Sequence, residues 1–235
     1  MDTKLIWKLR LVKWEIGRVL DGVRARRKFA RLHAKYRDYS MIPKHIFIEN
    51  LYLCHRLARH VDGSVVECGV WRGGMSAAMT HVLGDHREYY LFDSFDGLPP
   101  AKEIDGEKAL SYQRNTTSPT YFDNCRAGIE FAERTMSMSA AKHYRLIEGW
   151  FSDTLPSFVP KEPIAVLRLD ADWYDSIMEC LNRLYQNVAK GGLVLLDDYY
   201  TWDGCSRAVH DFLSATKSDD RIYQSTKGVC YIVKR

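Results

Sequence analysis

Six cysteines in 235 residues, with no Cys-x-x-Cys pair among them, leave no zinc or disulfide framework to build on. Long apolar runs are missing as well. The longest are strand-length, so none predicts a bilayer-spanning helix. The first residues alternate apolar and basic side chains instead of forming the continuous apolar core of a secretory signal. With 46% hydrophobic and 27% charged residues, the chain also lacks the biases of disordered or collagen-like sequences. Cys54, Cys68, Cys125, Cys180, Cys205 and Cys230 are therefore expected to be reduced and mostly buried, in a cytoplasmic protein.

What the chain does have is an uneven distribution of charge. Residues 1–40 hold twelve Lys/Arg against four acids, a net +8 inside a total of +4, so the rest is mildly acidic. Leu5, Leu9, Val12, Ile16, Val19 and Val23 recur at steps of three and four, which predicts an amphipathic helix over residues 3–32. This reading divides the chain into a basic helical extension, 1–40, and a main domain, 41–235. The extension is expected to dock on its own domain or on a second subunit of a homo-oligomer, with peripheral membrane association as the other use. No recognition motif accompanies the charge, so nucleic acid is not an expected partner.

A second helix is predicted over about 44–62, broken by Asp62-Gly63. Strands then alternate with helices. The strands read as Ser64–Val70, Glu88–Asp93, Tyr144–Gly149, Ile164–Asp170 and Gly192–Asp198, and the helices as about 74–84, 123–138, 175–189 and 205–216. Gly191-Gly192 is expected to close the third of these helices. Apolar runs ending in a carboxylate or glycine are typical of parallel strands covered on both faces. A closing hairpin is expected from Arg221–Ser225 and Val229–Lys234. The fold class is α/β, a doubly wound, mostly parallel sheet that gathers ligands at the carboxyl ends of its strands. The polar stretch from Leu98 to Asn124 is a candidate flexible lid or acceptor loop.

Val65–Gly74 reads V-V-E-C-G-V-W-R-G-G, a strand running through a tight turn into a helix. Val70 and Trp71 stand between the glycines where a pyrophosphate loop would want another glycine. Glu67 would repel a pyrophosphate but suits a ligand carrying an ammonium or sulfonium charge. Asp93, 24 residues beyond Gly69, can accept hydrogen bonds from ribose hydroxyls. Together they describe a cationic nucleoside site.

The second cluster is R-L-D-A-D-W-Y-D-S from Arg168 and L-L-D-D-Y-Y from Leu195. Two strand ends bring carboxylates together, and their repulsion is relieved by a hard divalent cation such as Mg²⁺. Asp170, Asp197 and Asp198 are the expected ligands. Asp172 stands two residues on as a candidate general base, with a helix cap as the alternative, and Asp175 reads as a helix cap.

These stretches, with L-F-D-S-F-D-G-L-P (Leu91–Pro99) between them, resemble the macrocin O-methyltransferase family over roughly residues 40–235. The resemblance implies a Rossmann-like class I methyltransferase fold with a seven-stranded sheet, S-adenosylmethionine as methyl donor, Mg²⁺ dependence and O-methylation of a sugar hydroxyl on a small molecule. It implies donor contacts from Glu67, Gly69, Val70, Asp93, Ser94, Trp150, Phe151 and Ser152, metal binding by Asp170, Asp197 and Asp198, and Asp172 as base, with the roles of Asp170 and Asp172 open to exchange. The basic residues 1–35 are the departure from the pattern. Two rival readings remain: a metal-dependent glycosyltransferase, and a non-catalytic scaffold that binds through the basic helix.

Overall fold

The computed structural model describes residues 21–235. Of the apolar stripe from Leu5 to Val23, the members up to Val19 lie outside the described residues, and Val23 is 44% exposed, because the buried face of this helix runs through Ala25, Phe29 and Leu32 instead. The described chain opens with a helix over residues 21–36 (α1) and continues with α2 (Lys44–Leu53), which runs into a π-helical turn, Cys54–Ala58. Then come β1 (Ser64–Cys68), α3 (Gly74–Leu83), β2 (Glu88–Asp93), α4 (Glu107–Arg114), α5 (Ile129–Ser137) and β3 (His143–Glu148). The second half holds α6 (Phe151–Thr154), β4 (Ile164–Leu169), α7 (Tyr174–Leu184), β5 (Val188–Leu196), α8 (Asp203–Ala215), β6 (Ile222–Gln224) and β7 (Cys230–Val233).

The strands form one seven-stranded sheet in the order β3-β2-β1-β4-β5-β7-β6. β1 to β5 pair in parallel, and the β6–β7 hairpin joins antiparallel through β7. This is the doubly wound sheet and closing hairpin that the apolar runs predict. Adjacent residues point to opposite faces, so Val65 enters a core with Phe29, Leu51 and Met79, while Val66 enters another with Ile177, Leu181 and Phe212. Chain order reverses between β1 and β4, which opens a crevice at their carboxyl ends.

α1 is docked on its own domain. Ala25, Phe29, Leu32 and Tyr36 are buried in the first core. The Tyr36 hydroxyl donates to the Met138 carbonyl at 2.9 Å, and the Lys28 ammonium donates to that of His81 at 2.9 Å.

Two elements differ from their sequence pattern. Gly191 and Gly192 do not end a helix; they lie inside β5. Ile164 pairs with Val188 but Val166 pairs with Leu193, so the extra β5 residues bulge outward. Gly191, with φ at +78°, turns the bulge, and its N–H donates to Lys234 O at 2.7 Å. The stretch from Leu98 to Asn124 contains α4 and is tied down at several points. Trp173 Nε1 donates to Pro99 O at 2.9 Å, and Tyr174 N donates to Asp105 Oδ1 at 2.7 Å. The predicted helix at 123–138 starts only at Ile129, because Phe122–Cys125 turns through left-handed backbone.

Candidate active site

The crevice is a cavity of 760 Å³, lined on one side by the loops after β1, β2 and β3 and on the other by those after β4 and β5. Every residue singled out from the sequence as a donor, metal or base candidate lines it: Glu67, Gly69, Val70, Asp93, Ser94, Trp150, Phe151, Ser152, Asp170, Asp172, Asp197 and Asp198.

On the first side, backbone geometry dominates. Gly69 has φ at +89°, and a β-carbon there would stand 1.7 Å from the Asp170 carbonyl oxygen. Only glycine lets the ends of β1 and β4 come this close. The Asp93 carboxylate fixes the next turn: Oδ2 accepts from Val70 N at 2.6 Å and Trp71 N at 2.7 Å, and Oδ1 accepts from Phe95 N at 2.7 Å. Burial raises the Asp93 pKa, and these three N–H groups oppose it. Asp93 thus shapes the loop as well as facing the cavity. The Ser94 hydroxyl donates to Gly97 O at 2.9 Å and closes the following turn. Trp150 sits at the cavity's edge, 39% exposed, one residue ahead of the short helix α6.

On the second side, charge dominates. The Asp170, Asp197 and Asp198 carboxylates each offer an oxygen, all within 4.8 Å of one another. Arg168, fully buried in β4, faces the same spot. Its guanidinium contacts Glu67 Oε1 at 2.6 Å, Asp170 Oδ2 at 2.8 Å and Asp197 Oδ1 at 2.7 Å. One fixed cation is therefore shared by acids at the ends of three strands. Ser76 also donates to Glu67. Burial pushes the Glu67 carboxyl up to about 8 against the pull of Arg168, and Asp197 up to about 6 for the same reasons. Arg168 itself stays charged: burial works against it, and Asp170, Asp197 and Glu67 outweigh the burial.

Asp198 and Asp172 have no such cation. Burial first, then neighbouring carboxylates, raises both well above the ordinary range. Asp172 stands in left-handed backbone (φ +55°), and Trp202 Nε1 donates to its Oδ1 at 2.7 Å. Trp202 packs edge-on against Trp173 and Tyr112, with ring centroids 5.1 and 5.6 Å away. Tyr112 and Trp202 give the cavity an aromatic wall beside Asp172, and Trp173 is buried against Trp202. Neither Asp172 nor Asp175 caps α7; Asp105 supplies that acceptor through Tyr174 N, which leaves Asp172 to face the cavity.

An all-oxygen donor set with more acid than base is what a hard divalent cation requires. With five carboxylates (Glu67, Asp170, Asp172, Asp197, Asp198) around a single guanidinium, the residues fit such an ion.

The sequence reading passed over two functional residues. Arg168 was legible, since an arginine inside an apolar strand must find acids when buried. Trp202 was not, because it lies 30 residues from Asp172 with no spacing rule to link them.

Comparison with known proteins places the chain. A family model described as macrocin-O-methyltransferase matches residues 24–232. The 8-demethyl-8-(2,3-dimethoxy-alpha-L-rhamnosyl)-tetracenomycin-C 4'-O-methyltransferase of Streptomyces olivaceus is 37% identical over 175 residues, covering 70% of this chain and 64% of that protein. Demethyldecarbamoylnovobiocin O-methyltransferase of Streptomyces niveus is 34% identical over 175 residues, with the same coverage of 70% and 64%. The match therefore spans just under two thirds of the length of each of these curated relatives. The solved structure of the O-methyltransferase NovP superposes with a TM-score of 0.68 at 27% identity, covering 83% of this chain and 82% of that one. With its seven-stranded sheet, its site at the β1–β4 crevice and a family match over most of its length, the chain belongs to the macrocin O-methyltransferase family.

Proposed function

We propose that this protein transfers the methyl group of S-adenosylmethionine to a hydroxyl of a sugar carried on a small molecule, with a divalent cation at its acidic cluster. One observation carries the reading: the glycine turn after β1 and the cluster of Asp170, Asp197 and Asp198 open into one cavity, with Asp172 beside them. The names of the relatives support it, since they are O-methyltransferases and one is named for a rhamnosyl substrate.

The Gly69–Gly73 turn, Asp93, Ser94 and the Trp150–Ser152 segment would receive the donor. Glu67 lines the same cavity and is held in place by Arg168. Asp170, Asp197 and Asp198 would hold the cation, which supplies a Lewis acid that makes a bound hydroxyl more acidic. Asp172 lies outside that trio of oxygens, which supports the role of base for it and of ligand for Asp170. Its Oδ1 is held by Trp202, and its other oxygen takes the hydroxyl proton as the new oxygen–carbon bond forms and the carbon–sulfur bond breaks. The aromatic wall of Tyr112 and Trp202 offers a face on which a sugar ring can lie. Most of the acceleration comes from holding the reactants in line and away from water.

A methyl-transfer assay over glycosylated polyketides and other glycosylated small molecules, with and without Mg²⁺, tests this directly. Transfer should need the cation, and Asp197→Asn should lower it at least ~100-fold, the scale of several kcal/mol of transition-state stabilisation. Full activity in excess chelator would remove the metal from the mechanism. Binding of uridine diphosphate but not of S-adenosylhomocysteine would replace the whole reading with glycosyl transfer.

A further inference from the structure

The proposed reaction occupies the carboxyl ends of the strands. The opposite end carries a second concentration of charge, of the other sign, which that reaction does not use. Between the Cys54–Ala58 turn and β1, the Arg59 guanidinium has imidazoles for neighbours. Its Nε donates to His60 Nε2 at 2.8 Å, and its Nη1 lies 3.2 Å from His55 Nε2. Arg87, 5% exposed, fixes this segment by donating to the carbonyls of Val61 at 2.7 Å, Gly63 at 2.8 Å and Arg59 at 3.2 Å. The cations therefore sit on a held backbone.

α1 extends the same surface. With Ala25, Phe29, Leu32 and Tyr36 turned inward, Arg24, Arg27 and Arg31 fall on an exposed outer stripe. The two elements meet at Tyr52 and His55: Arg26 and Arg56 lie 4.1 and 5.9 Å from the Tyr52 ring, and Phe29 packs 5.9 Å from His55. Burial, followed by Arg59, Lys28 and Arg56, holds His55 below its ordinary pKa, with Asp21 opposing them. Glu49 is buried and already paired with Arg26 at 2.7 Å. The result is a basic surface of Arg24, Arg27, Lys28, Arg31, Arg56 and Arg59.

Rows of phosphate are its natural complement, and both a duplex and a bilayer present them. The sequence leading into α1 separates the two. Leu5, Trp7, Leu9, Val12, Trp14 and Ile16 alternate there with Lys4, Lys8, Arg10, Lys13 and Arg18, and only Asp2 and Glu15 are acidic. Those apolar groups gain free energy at an acyl boundary and gain little along a phosphate backbone. Among the described residues no helix is long and apolar enough to cross a membrane.

We propose that the outer face of α1 and the 54–60 segment dock on a phospholipid bilayer bearing anionic headgroups, while the cavity opens at the other end of the strands.

Co-sedimentation of the full chain with phosphatidylcholine vesicles, with and without phosphatidylserine, tests this. Binding should require the anionic lipid and be released by salt. The variant Arg27→Glu/Arg31→Glu/Arg59→Glu should partition roughly 100-fold less, at about fivefold for each cation removed, with its melting temperature and methyl transfer to a soluble acceptor unchanged. Equal binding to neutral vesicles, undiminished binding by the triple variant, or preference for duplex DNA at the same phosphate concentration would each overturn the proposal. If the triple variant melts early, Arg59→Gln and the salt titration of the unaltered chain decide in its place.

Discussion

At the carboxyl ends of the strands, charge is buried and shared. One guanidinium, Arg168, serves Glu67, Asp170 and Asp197, while Asp172 and Asp198 crowd beside them. Away from that crevice, Arg24, Arg27, Arg31, Arg56 and Arg59 stand exposed, with imidazoles beside the Arg59 guanidinium. The contrast shows what each arrangement is suited to. Buried opposite charges fix geometry, because none can move without exposing another to an apolar surrounding. Exposed like charges fix nothing internally and act on whatever approaches.

Substitutions that sharpen this contrast differ widely in expected effect. Arg168→Met should be the most damaging, since it leaves the buried Glu67 and the partly buried Asp170 and Asp197 without their cation. A loss of about 3–5 kcal/mol is expected in urea unfolding, and an unchanged midpoint would show that the network contributes little to the fold. Gly69→Ala comes next. It places a side chain in left-handed backbone and against the Asp170 carbonyl, so about 2–3 kcal/mol should be lost, with donor binding weakened by calorimetry. Trp202→Phe keeps the aromatic wall but removes the donor to Asp172. kcat should fall roughly tenfold with KM for the acceptor nearly unchanged; a rise in KM alone would make Trp202 a sugar-stacking residue instead. Arg59→Gln, at the other end, should leave melting temperature and turnover where they are. If it lowers either, the two ends are not separate in function.

Much of this architecture was legible because parallel strands buried on both faces leave continuous apolar runs. Glu88–Asp93 was read to the residue, and Ile164–Leu169 to within one. The site candidates were legible for a related reason: a carboxylate closing an apolar strand, as at Asp93, Asp170 and Asp197, has no packing role to explain it. The misread parts depend on tertiary contacts. Gly191-Gly192 resembles a helix stop and is a bulge because Lys234 on the closing hairpin pairs with it. Asp105 caps α7 from 69 residues away, which left Asp172 and Asp175 looking like caps when neither is one. The left-handed turn at Phe122–Cys125 has no glycine to announce it. The helix read over residues 3–32 was borne out in the part that the structure describes, but not its stripe: Val23 faces outward, and Phe29 and Leu32 enter the core instead.

The shared guanidinium of Arg168 has one more implication, for how the chain can change over time. Its three acceptors lie at the ends of separate strands, so their substitutions are not independent events. Neutralising Glu67 frees Arg168 to lean on Asp170 and Asp197, and neutralising Asp197 does the reverse. Glu67→Gln and Asp197→Asn together should therefore differ from the sum of their single effects, a coupling readable in a double-mutant cycle. Inherited changes at any of these strand ends would be expected to travel in company, with the background deciding whether each is tolerated.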